Sequence, residues 1–99
     1  MTLGAAGIGT TSSATTPHGT ASVGGTAGSV VAANPNRVRL ILGNDHASQV
    51  IYLSLGGTAE LNKGIRLNAV GGQINLEGYT GAVSAIATGA TTPLLITEL

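Results

Sequence analysis

No stretch between Arg37 and Leu99 keeps a helical period long enough to make a helix. Every apolar run there is short, alternates, and is cut by Gly, Asn, Asp, Ser or Pro. In "RVRLIL", Val38, Leu40 and Leu42 fall on one face of a strand and Arg37, Arg39 and Ile41 on the other. The polar turn "GNDHAS" follows, and then "QVIYLSL", apolar on both faces as a central strand is. "GGTAELNKG" reads as a loop. "IRLNAV" turns Ile65, Leu67 and Ala69 inward, Gly71-Gly72 signals a tight hairpin, and "QINLE" turns Ile74 and Leu76 inward. "YTGAVSAIAT" puts Tyr79, Val83, Ala85 and Ala87 together with Ile86 opposite, and "LLITEL" closes the chain. Six short, regularly spaced strands predict an all-β fold: a small antiparallel β-sandwich, jelly roll or barrel.

The text before Arg37 is different. All eight charged side chains lie at or after it, while 25 of the first 36 residues are Gly, Ala, Ser or Thr. The apolar anchors there, Leu3, Ile8, Val23, Val30 and Val31, follow neither strand nor helix period. Such a segment buries too little to offset the entropy of ordering itself. The expected organisation is therefore an extended N-terminal arm over residues 1–36 and a compact β-domain over residues 37–99. Its small and β-branched residues suit close contact with another surface. An arm without a fixed partner and an arm that orders on a neighbouring subunit through Val23, Val30 and Val31 both fit.

With no Phe or Trp and only Tyr52 and Tyr79, the core must be aliphatic. There is no cysteine, so neither a disulfide nor a thiolate metal site can form. A body this small is marginal alone, and association is one route to stability. Four basic against four acidic side chains do not track a phosphate backbone or build a polybasic membrane patch. No nucleic acid and no membrane partner is expected. The first residues lack the pattern of a secretion signal, and no apolar run has bilayer length. The expected site of synthesis is the cytoplasm.

Catalytic chemistry is not legible. His18 lies in the arm and His46 in a turn beside Asp45, and no ligand set gathers around either; "NDHAS" reads as an ordinary polar turn. Asp45, Glu60, Glu77 and Glu98 are dispersed, and no nucleophile elbow is present. "GAAGIG" and "GGTAG" match no phosphate-binding pattern. The expectation is no enzyme, no cofactor and no metal. Arg37 and Arg39 share a strand face, where they either meet carboxylates of a partner or guard an edge strand by charge. Tyr52 and Tyr79 are either interface anchors or the largest core fillers.

The segments "NPNRVRLILGN", "QVIYLSLGGTA", "GIRLNAVGGQINLE" and "YTGAVSAIATG" resemble a module of tailed-bacteriophage structural proteins, found in capsid decoration (cement) proteins, head fibres and tail-associated proteins. The resemblance spans Asn34 to Leu99 and implies a virion component. With the chain's length, it leads to the expectation of a cement protein on the outside of the head. That protein would be a homotrimer bridging subunits of the major capsid protein. The alternative is a head-fibre or tail-associated module contacting the host surface, with host glycan as ligand and loops Gly43–Gln49 and Gly56–Gly64 as its candidate site.

Overall fold

The structure, a computed structural model, describes residues 17–99. They form eight strands and no helix: β1 (His18–Val23), β2 (Gly28–Val31), β3 (Arg39–Asn44), β4 (Ile51–Leu55), β5 (Ile65–Leu67), β6 (Gln73–Glu77), β7 (Val83–Ala87) and β8 (Thr92–Glu98). Two four-stranded antiparallel sheets result, ordered β1-β8-β3-β6 and β2-β7-β4-β5, in a β-sandwich-like all-β fold. The first strand pairs with the last, the second with the last but one, the third with the sixth and the fourth with the fifth. Successive pairs alternate between the sheets, so the chain runs as one long antiparallel hairpin rolled over on itself.

Alternation explains which residues meet between the sheets. Leu40 and Leu42 from β3 and Leu94 from β8 face Ile51 and Leu53 from β4, Leu67 from β5, and Val83, Ala85 and Ala87 from β7. This core is wholly aliphatic, and burying each large side chain contributes on the order of 1.5–3 kcal/mol. Ile65, Ile74, Leu76 and Tyr79 pack around it, with Gln73, Asn75 and Glu77 exposed, as the alternation in "QINLE" predicts. Strand β4 is central and buried along most of its length, which is why its sequence is apolar on both faces.

Two expectations change. The boundary does not fall at Arg37, because β1 and β2 lie within the segment read as an arm and pair with β8 and β7. The sequence signal is weak because both are edge strands, ordered by the ladders of their neighbours and contributing few core side chains. Val23 and Val31 belong to this chain's own core, and Val30 packs against it. Only residues 1–16 of the predicted arm remain, and they lie outside the described residues.

Gly71-Gly72 is not a hairpin turn. Strand β5 pairs with β4 and β6 with β3, so the turn carries the chain from one sheet to the other. Gly71 N–H donates to Asn44 O and Gly72 N–H to Asn68 O, and Gly71 has φ 89°. A side chain at Gly72 would run into the Asn68 backbone, so glycine is required there.

Buried Asn44 anchors the same end. Its Nδ2 donates to the carbonyls of Gln49 (2.8 Å) and Leu67 (3.0 Å), and its Oδ1 accepts the His46 N–H at 2.9 Å. Its polar atoms therefore stay paired inside the sandwich.

Candidate functional site

Most of the residues the sequence nominates for an interface are turned inward. "NPNR" shows why for Arg37. Asn34 Oδ1 accepts the Asn36 N–H, and the Arg37 N–H donates to the Asn34 carbonyl, closing a turn just before β3. The turn breaks the strand alternation, so Arg37 does not share a face with Arg39. Its side chain is fully buried. It donates to Glu98 Oε2 at 2.8 Å, to the carbonyls of Tyr79 and Gly81 at 3.0 Å each, and to that of Ala32 at 2.6 Å. Arg37 therefore clasps the β2–β3 connection, the β6–β7 loop and β8 of its own chain. Val38, by contrast, is 70% exposed rather than in line with Leu40.

Arg39 is neither an edge guard nor an unpaired cation. Strand β3 is interior to its sheet, and Arg39 Nη2 lies 2.7 Å from Glu77 Oε2 on β6.

The tyrosines are also internal. Tyr79 donates its hydroxyl to Ala82 O at 2.6 Å, beside Gly81. Tyr52 is buried under the loop between β4 and β5, packed with Ala59 and Ile86. That loop folds back over the outer face of its own sheet. Ala59 N–H donates to Ser84 Oγ (3.0 Å), Tyr52 hydroxyl donates to Asn62 Oδ1 (3.1 Å), and Arg66 Nη1 donates to the Tyr52 oxygen (3.2 Å). The segment Gly56–Gly64 is thus a strap, and the sheet face beneath it is occupied. Gly64, at φ 81° and against the Leu53 carbonyl, ends it where no side chain would fit.

The other sheet has no such cover among the described residues. The outward positions are His18, Thr20 and Ser22 on β1; Pro93, Leu95 and Thr97 on β8; Arg39, Ile41 and Gly43 on β3; and Gln73, Asn75 and Glu77 on β6. The only formal charges are Arg39 and Glu77, which neutralise each other. Leu95 is 43% exposed at the centre, and Gly43 beside it leaves a dip between Leu95 and Gln73. An open groove of about 400 Å³ runs along the β1–β8 side, lined by His18, Gly19, Thr20, Leu95, Ile96 and Thr97. This charge-poor face is the candidate site. Covering this face would strip water from Leu95 and Ile41 while leaving the Arg39–Glu77 pair matched.

Sequence reasoning missed this face because its residues are ordinary solvent-side positions one at a time. Only the register that sets Thr20, Leu95, Gly43 and Gln73 in one row makes a surface of them. His46 sits in a polar turn, its Nδ1 accepting the N–H groups of Ser48 and Gln49. Among the described residues no group of three or more His, Cys, Asp or Glu side chains is gathered, and no helix is long and apolar enough to cross a membrane. No protein-family model matches the chain, and neither the curated proteins nor the solved structures contain a match.

Proposed function

We propose that this protein decorates the head of a tailed bacteriophage, binding outside the shell as a homotrimer and bridging subunits of the major capsid protein. Its place of action is then the virion surface, and it carries out no catalytic step. The observation that carries the reading is the contrast between the outer faces: one is closed by the chain's own strap, while the other has no such cover among the described residues and is almost uncharged. A cement protein needs one stable body and one such face.

Two further observations support it. The pairing of first strand with last, alternating between sheets, is the order expected of a jelly roll, and we read the finer fold as that. Jelly rolls recur in viral capsid domains. The segments from Asn34 to Leu99 that resemble phage structural modules coincide with β3 to β8.

The mechanism is mass action. A ligand that binds the assembled shell and not its separated subunits adds RT ln(1 + [L]/Kd) per site, summed over many sites. The test is the temperature at which shells of the phage encoding this chain release their DNA, with and without the purified protein. A rise that saturates with concentration supports the reading; an unchanged temperature at saturating protein removes it.

A further inference from the structure

Among the described residues, three other than glycine have a left-handed backbone: Asn62 (φ 65°), Val70 (φ 61°) and Thr91 (φ 58°). Asparagine tolerates that conformation, and Asn62 accepts the Tyr52 hydroxyl bond. Thr91 leads into buried Thr92, whose hydroxyl donates to Gly89 O and fixes that turn. Val70 is different. A β-branched side chain is strained at positive φ, and this one is 79% exposed, so little packing within the chain offsets the strain. The turn holds it there: Val70 N–H donates to His46 O, Gly71 N–H to Asn44 O and Gly72 N–H to Asn68 O. An apolar side chain is thus presented on a braced tip, between Ala69 and Gly71.

A complement exists on the same molecule. Val70 stands at the end of the sandwich where β3 finishes at Asn44, opposite Leu94. The apolar groove lies toward the other end of the same sheet, between His18–Thr20 and Leu95–Thr97. Neither the tip Ala69–Gly72 nor the groove lining contains an Asp, Glu, Lys or Arg.

From this we infer that Val70 of one copy inserts into the β1–β8 groove of a second copy, making a head-to-tail contact. Knob and groove are different surfaces, so the contact is heterologous and propagates until a ring closes. The inference deepens the association proposed above and rests on it only in that the partner is another copy of this chain.

The test is solution mass by light scattering after size exclusion, for the full chain and two variants. Asn at position 70 suits the left-handed backbone, so Val70→Asn keeps the fold and loses the knob. Leu95→Asp places a carboxylate at an already exposed groove position. The full chain is expected to run above the 9.6 kDa of a single chain. Each variant is expected to associate roughly thirtyfold or more weakly, as loss of an interface anchor does. An equimolar mixture of the two variants is expected to recover a dimer, since one keeps its groove and the other its knob.

A monomeric full chain at high concentration overturns the inference and leaves shell binding to decide the function. A Val70→Asn variant that associates like the full chain overturns it while self-association stands. An unchanged Leu95→Asp variant, as when the chain's own first residues fill the groove, does the same. Two monomeric variants that fail to complement each other overturn the knob-in-groove pairing.

Discussion

Arg37 donates from Nε to Glu98 Oε2 at 2.8 Å, joining the residue that leads into β3 to the end of the last strand. The other guanidinium bonds go to three backbone carbonyls, so the side chain serves as an internal staple between segments far apart in sequence. Removing it would strand those carbonyls, whereas Glu98, 37% exposed in its side chain, could turn to water.

Arg37→Ala is therefore expected to lower stability by about 3 kcal/mol, chiefly from the carbonyls left unpaired. Arg37→Lys should recover only part of the loss, because one ammonium cannot span acceptors arranged for a planar fork. Urea denaturation followed by circular dichroism measures both. An Arg37→Ala protein as stable as the parent would contradict the clasp.

Arg39→Ala provides the contrast. The Arg39–Glu77 pair is 43% and 63% exposed in its side chains, and pairs of this kind contribute about 0–1 kcal/mol. The same denaturation series should show a shift within that range, smaller at high salt. A loss comparable to that of Arg37→Ala would mean that Arg39 is also structural.

Asn44→Ala leaves the carbonyls of Gln49 and Leu67 and the N–H of His46 without their side-chain partner. The expected cost is on the order of 3 kcal/mol. Hydrogen exchange should show early opening of the turns around residues 45–49 and 68–72, ahead of β4 and β7. Uniform loss of protection would argue that Asn44 does not hold that end locally.

Truncation tests where the body begins. Deleting residues 1–36 removes β1, β2 and the core side chains Val23 and Val31, and should abolish cooperative unfolding. A stable fold over residues 37–99 alone would restore the boundary that the sequence implies.

Much of the body was legible because its strands alternate. "QVIYLSL" reads as a central strand and is one; "QINLE" and "VSAIA" present the faces their patterns predict. What could not be read has identifiable physical causes. "HGTASV" and "GSVV" have little apolar content, and they become strands because β8 and β7 offer them hydrogen-bonded edges. Gly71-Gly72 has hairpin chemistry but serves a crossover, which only the pairing of β5 and β6 with different strands reveals. Arg37 looks like a surface cation until the turn at Asn34 aims it inward. The candidate face is a property of register, and no single residue in it carries a signal.

Co-sedimentation of the purified protein with assembled coat shells, and with unassembled coat subunits, tests the proposed role most directly. A cement role predicts saturable pelleting with shells in whole-number proportion to coat subunits, and none with free subunits. It also predicts loss of pelleting when charge is placed at Ile41 or Asn75, outward positions of the same face that lie outside the β1–β8 groove. Protein that stays in the supernatant with intact shells, yet binds host cells or their polysaccharide, would contradict it and favour a host-contacting module.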